Sequence, residues 1–221
     1  NSNWESVCIS ALIIALIVTP AGFNDPAALG FIAVVAAWAM ASKYLIAIKH
    51  KHLFNPACFG AAVLGTLLHR TVSWWTGDAA ILLPLIILGG ALLVHRLRYV
   101  EMVLAYAVVV LTISVAHGNT ASLAGMYQSF SNMGIHSMFA FFGLVMLTEP
   151  RTAPLGTWRQ VTYGAIVGLL FSPFTHIGSY YFTPESALVC GNLFTFFANK
   201  RRLGRWMEKL GMKPATAGGS V

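Results

Sequence analysis

The chain is 221 residues long, 57% hydrophobic and only 10% charged, whereas a soluble domain carries charge on about a quarter of its residues. Its net charge of +7 does not point to nucleic acid, because the cations form no groove-binding stripe: Lys43, Lys49, Lys51, Arg96, Arg98, Arg151, Arg159 and the group Lys200, Arg201, Arg202, Arg205, Lys209 and Lys213 stand at or just beyond the ends of apolar segments. Composition and charge placement exclude a nucleic-acid partner and predict an all-α integral membrane protein whose surroundings are lipid.

Apolar runs of roughly spanning length fall at about 6–23, 27–48, 55–70, 79–95, 99–117, 133–149, 160–177 and 184–199. The first ends in Thr-Pro-Ala-Gly, which has a trace of a signal-peptide cleavage site. It lacks a basic leading region and further spans follow at once, so it reads as a transmembrane helix. If all eight runs cross, the loops 49–52, 96–98 and 150–159 and the C-terminal tail share one face with 13 of the 14 Lys and Arg residues, leaving only Arg70 on the other. The third run is short, and its Asn-Pro start could open a re-entrant half-helix. That alternative throws Arg96, Arg98 and the basic tail outside, so eight crossings with both termini cytoplasmic are expected, in the inner (cytoplasmic) membrane of the cell. Residues 201–221 read as a basic cytoplasmic tail and linker. Lys200 to Gly211 suits anionic headgroups, and Pro214 to Val221 has linker composition, after which the protein ends or a further domain follows.

Two motifs interrupt this pattern, His52-Leu-Phe-Asn-Pro-Ala-Cys-Phe-Gly60 and Met146-Leu-Thr-Glu-Pro-Arg-Thr-Ala-Pro154. Each sets a proline beside a polar side chain at the edge of an apolar run, with Pro56 and Pro150 94 residues apart. A helix broken at membrane depth must line protein or a cavity, because lipid cannot satisfy the freed backbone groups. Each motif leads into an aromatic-Gly-Ala-x-Val segment, Phe59 to Val63 and Tyr163 to Val167. The chain therefore reads as two repeated halves, about 1–98 and 99–199, with a ligand expected between them. The plainer alternative is that Gly and Ala only let helices approach closely.

The residues in these motifs carry structural readings of their own. Asn55 before Pro56 is good capping chemistry, alone or together with ligand contact. Thr148 caps or back-bonds a helix end, and Glu149 pairs with Arg151 or Arg159 in preference to relaying protons. Asn192, an amide at a helix centre, needs a partner. Phe54, Phe59, Phe141, Phe142 and Tyr163 could stack on a planar ligand. His69, His117, His136 and His176 fall near the outer ends of four different helices, without the mid-helix pairing that bis-histidine haem needs. His50 and His52 sit in a basic loop. Cys8, Cys58 and Cys190 are isolated in apolar runs, read as buried and structural, and no metal site is predicted. No nucleophile elbow, phosphate loop or His-x-x-x-His pair appears, so no catalytic residue is assigned and the chemistry would be a cofactor's.

The order Phe54-Asn-Pro-Ala-x-x-Gly60, then Thr148-Glu-Pro-Arg-Thr-Ala-Pro154, then Arg159 and Tyr163-Gly-Ala, with Asn192 in a final helix, resembles the RnfD family of membrane proteins from the Rnf electron-transport complex. It is also similar to the related NqrB family from the sodium-pumping NADH:quinone reductase. The second motif of these families reads Ala-Thr-Asp-Pro-Val-x-x-Pro, onto which Thr148, Glu149, Pro150 and Pro154 map. The resemblance covers most of the chain and is strongest from His136 to Asn199. It implies a urea-transporter-like fold and a transmembrane electron-transfer domain over 1–200. The family usually has about ten spans, so this chain looks like a compact relative. The Ser-Gly-Ala-Thr type motif that carries covalent FMN in the family is missing; Asn119-Thr-Ala-Ser and Ser122-Leu-Ala-Gly do not fit it. The expected cofactor is therefore a non-covalent flavin, riboflavin or FMN, with haem the weaker alternative. Phe54, Asn55, Pro56, Phe59, Thr148, Glu149, Pro150, Tyr163 and Asn192 are its expected contacts. The implied role is electron relay from a cytoplasmic reductase to an acceptor in or across the membrane, as part of an NAD(P)H- or ferredoxin-linked oxidoreductase. Other electron-transfer subunits or a ferredoxin-reductase-like domain would be its partners. A channel or transporter for a small polar solute, flavin included, and a haem-binding or cofactor-free accessory protein are the rival readings.

Overall fold

The computed structural model describes residues 2–48, 51–70, 72–117, 125, 138–172 and 174–199. The fold is predominantly helical. Its elements are α1 (Ser2–Ile17), α2 (Pro26–Leu45), a hairpin of β1 (Ala47–Ile48) and β2 (Lys51–His52), α3 (Pro56–Leu68) and α4 (Trp75–Asp78). A 3-10 turn (Ala80–Leu82) leads into α5 (Leu83–Leu97), followed by α6 (Val100–His117). A single turn α7 (Phe139–Phe141) continues as a π-helical turn (Phe142–Met146), then come α8 (Thr157–Phe171), a hairpin of β3 (His176–Ile177) and β4 (Tyr180–Tyr181), and α9 (Pro184–Ala198).

Local chemistry sets the helix starts. Asp25, Asn55 and Thr183 each precede a proline, whose fixed φ and missing N–H suit the first helical position. Asp25 Oδ1 accepts from Ala28 N at 2.9 Å, and Asn55 Oδ1 accepts from Ala57 N at 3.1 Å and Cys58 N at 3.2 Å. Thr183 and Ser186 form a reciprocal capping box.

Helix lengths differ from the apolar runs. α2 stops at Leu45, where the chain enters the hairpin of β1 and β2. α8 stops at Phe171 because Ser172 stands before a proline and takes an extended conformation, ψ 133°. Among the described residues two helices, Pro26–Leu45 and Val100–His117, are long and apolar enough to cross a membrane. Val7–Ile17, Pro56–Leu68 and Leu83–Leu97 are apolar but shorter. At 13 residues α3 rises ~20 Å, less than a ~30 Å hydrocarbon core.

Glycines set the closest packing. A Cβ on Gly164 would strike the backbone of Met102, so α8 lies directly on α6; Gly60 lets α3 approach Val35 and Ala39 of α2. The glycines of both aromatic-Gly-Ala segments thus permit close helix packing. Their partners are not equivalent, however: α3 packs on the helix just before it, whereas α8 packs on α6 with α7 intervening in sequence. Gly191 brings α9 onto Tyr163 and Val167 of α8, and α9 also packs on α3, so α9 joins the two pairs.

Apolar side chains cover the outside as well as the core. Leu85, Leu88 and Leu92 on α5 and Leu104 and Val108 on α6 are exposed. Phe141 and Phe142 sit in the core, edge-on to Trp74, and Phe142 also meets Tyr106 and Phe171.

Candidate functional site

The two proline motifs meet. α3 carries Asn55 at its start, and the non-helical connection from Leu147 to Gly156 carries Glu149 to the same place. Asn55 is buried, and its oxygen is used up by the α3 cap. Its Nδ2 has no hydrogen bond of good geometry, yet lies close enough to Glu149 to favour the carboxylate. Thr152, one turn on from Glu149, donates its hydroxyl to Glu149 Oε2 at 3.1 Å. The charges of Arg151 and of the buried Lys43 also act on the carboxyl.

Glu149 lies outside the helices. Burial of its carboxyl pushes the pKa up to about 7, against the Thr152 hydrogen bond, Arg151, Asn55 and Lys43, which all pull it down. The acid therefore titrates near neutrality. Of the two expected arginine partners Arg151 exerts its charge on Glu149, whereas Arg159 makes no ion pair among the described residues.

A second pair of polar groups completes the cluster. The Tyr163 hydroxyl donates to Asn192 Oδ1 at 3.0 Å, and both residues are fully buried. That bond orients the amide and leaves Asn192 Nδ2 buried without an acceptor among the described residues, and Thr195 Oγ1, one turn further along α9, likewise has no partner among them. Tyr163 feels the charge of Glu149 and the proximity of Cys58, so the two pairs belong to one polar region among α3, α8, α9 and the Glu149 connection.

The remaining predicted contacts divide. Pro56 is buried at the start of α3, and Phe54 and Phe59 stack on each other at 4.9 Å with planes 8° apart. Thr148 is buried and back-bonds, donating to Leu144 O at 2.8 Å, which serves the unsatisfied carbonyls of the π turn. Pro150 is exposed at the rim. Cys58 is buried as expected, but Cys8 is exposed on α1, because α1 turns that face away from the core. His69 ends α3, His117 stacks on Phe174 at 4.6 Å, and His176 lies against Tyr181. Among the described residues no three His, Cys, Asp or Glu side chains come together as metal ligands. His50, His136, the Asn119 and Ser122 segments and the tail 201–221 lie outside the described residues.

Sequence reasoning missed a second polar region at the other end of α3. Glu185, in the first turn of α9, is only 4% exposed and accepts a hydrogen bond from Trp74 Nε1. It lines a cavity of about 470 Å³ together with Arg70, His69, Thr66 and Tyr180. The usable signal was spacing: Glu185 stands seven residues before Asn192, on the same buried face of α9.

The inner cluster offers amide donors, a phenol, hydroxyls and one acid of near-neutral pKa in an apolar setting, and it contains no nucleophile–base pair. Set against known proteins, the chain matches no family model, no curated protein and no solved structure.

Proposed function

We propose that the chain is a membrane electron-transfer module that holds a non-covalent flavin, riboflavin or FMN, against the cluster of Asn55, Glu149, Tyr163 and Asn192. In this reading the eight apolar runs cross the inner (cytoplasmic) membrane in two halves, both termini are cytoplasmic, and both proline motifs face the cytoplasmic side. The observation that carries the reading is the convergence of two motifs 94 residues apart on a buried site where, among the described residues, Asn192 Nδ2 has no acceptor and Asn55 Nδ2 makes no bond of good geometry. Buried amide donors without partners are costly, by about 1–3 kcal/mol each, and a planar ligand with carbonyl edges would satisfy them. The exposed apolar faces of α5 and α6 support the bilayer setting.

A bound flavin would supply the one- and two-electron chemistry. The protein's own residues supply orientation and proton control. Tyr163 fixes the Asn192 amide, Asn55 and Asn192 donate to the ligand edge, and the Glu149 carboxyl, titrating near pH 7, can hold or release a proton beside it. Electrons would enter from a cytoplasmic reductase, either a linked domain or a separate partner protein.

The test is the pigment of the purified protein. An oxidised-flavin absorption band, with free flavin released on denaturation and lower occupancy in Asn55→Leu and Asn192→Leu, is expected. A colourless preparation that releases no flavin overturns the reading, and a Soret band replaces it with haem.

A further inference from the structure

We propose that the cavity at the His69 end of α3 is a binding site for a small zwitterion, its ammonium group on Glu185 and its carboxylate on Arg70. This inference is independent of the flavin reading, because it concerns the opposite end of α3.

The cavity is lined by one acidic and one basic side chain, Glu185 and Arg70, and the two are not paired with each other among the described residues. Glu185 is 4% exposed, and its Oε1 accepts from the neutral indole of Trp74. Arg70 is held with its guanidinium 5.8 Å from the Phe31 ring centroid. Neither forms an ion pair among the described residues, although both line the same space. A buried carboxylate that meets only neutral donors lacks most of the compensation its desolvation requires. An entering ammonium group would provide it. A cation–π contact leaves the guanidinium edge free for the bidentate hydrogen bonds that a carboxylate accepts.

The rest of the lining suits the body of such a ligand. Ala61 and Gly65 of α3 give a smooth apolar wall for a methylene spacer, while Thr66 and Tyr180 add polar groups near the mouth. About 470 Å³ is within the range of small-molecule sites, roughly 300–1,000 Å³. Amino acids with different separations between their charged ends are therefore the fitting class. A pure cation would leave Arg70 unused, and a pure anion would face Glu185.

Calorimetric titration of the detergent-solubilised full chain tests this, with glycine, β-alanine and γ-aminobutyrate as zwitterions and butylamine and butyrate as single-charge controls. Saturable binding of at least one zwitterion is expected, about tenfold or more tighter than either control. Glu185→Gln keeps an acceptor for Trp74 and should abolish the advantage over butyrate. Arg70→Gln, at an exposed position, should abolish the advantage over butylamine and serves should the Glu185 variant fail to fold. The proposal is overturned if no zwitterion binds saturably, if butylamine or butyrate binds as tightly, or if Arg70→Gln leaves the preference intact.

Discussion

At its Pro56 end α3 enters a buried region where Asn55, Glu149, Thr152, Tyr163 and Asn192 gather and act on one another. At its His69 end the same helix borders a cavity lined by Arg70 and Glu185, which form no ion pair among the described residues. The inner end depends on close helix packing, since Tyr163 and Asn192 meet only because Gly191 lets α9 lie on α8. The outer end is held by single long-range contacts, Trp74 to Glu185 and Arg70 to Phe31. Damage to helix packing should therefore be felt mainly at the inner end, and loss of one charge mainly at the outer.

The largest expected effect comes from Gly164→Ala. The added methyl would collide with the Met102 backbone, which has no rotamer by which to yield, so α6 and α8 must separate. Overpacking of this kind costs about 1–3 kcal/mol, and a backbone obstacle puts it at the upper end. Gly30→Ala in α2 is the control: nothing lies within 4 Å of its Cβ, so the substitution should stabilise by about 0.5–1 kcal/mol. Thermal unfolding in detergent should move in opposite directions for the two variants, and a shared direction would show that the α6–α8 approach is not tight.

Next is the acid. With a folded pKa of about 7 against an ordinary 4.5, the folded chain keeps a proton on Glu149 that the unfolded chain has already released across that window. Stability should therefore fall as pH rises from about 4.5 to about 7. The full shift corresponds to roughly 3 kcal/mol, and partial exposure of the residue reduces this to about 2 kcal/mol. Glu149→Gln should flatten the profile and leave the protein more stable at neutral pH. An unchanged profile would mean that this carboxyl is not desolvated.

The Tyr163–Asn192 bond ranks below it. Asn192→Leu strands a buried phenol, and adding Tyr163→Phe should restore part of the loss, with a coupling of about 1 kcal/mol, in the range measured between membrane helices. Zero coupling in the double-mutant cycle would detach the two residues.

How much of this was legible beforehand depends on whether the signal is local. The Asn55 cap and the Thr148 back-bond follow from residues within four positions of each other, and both stand as expected. Asn192 announced itself because an amide at a helix centre needs a partner, but that the partner would be Tyr163 depends on the α8–α9 approach across 29 residues. Helix ends moved where the chain entered a short hairpin, at Leu45, and where a pre-proline residue became extended, after Phe171. Glu185 was not singled out: its seven-residue spacing from Asn192 marks a shared face of α9, but its partner Trp74 stands 111 residues away.

The smallest effect is also the most discriminating, since Asn55 does two things with two atoms. Its Oδ1 caps α3, and its Nδ2 faces Glu149 without a bond of good geometry. Asn55→Ala removes both and should cost about 1 kcal/mol, the usual worth of a cap. Asn55→Ser keeps a capping oxygen and should cost only a few tenths of that, while removing the Nδ2 donor. If the amide serves only as a cap, the serine variant behaves as the parent in stability and in the pH profile alike. If Nδ2 helps to hold the Glu149 carboxylate, the serine variant keeps its stability at low pH but shifts the Glu149 transition upward. Measured side by side, the two variants separate a helix start from a site.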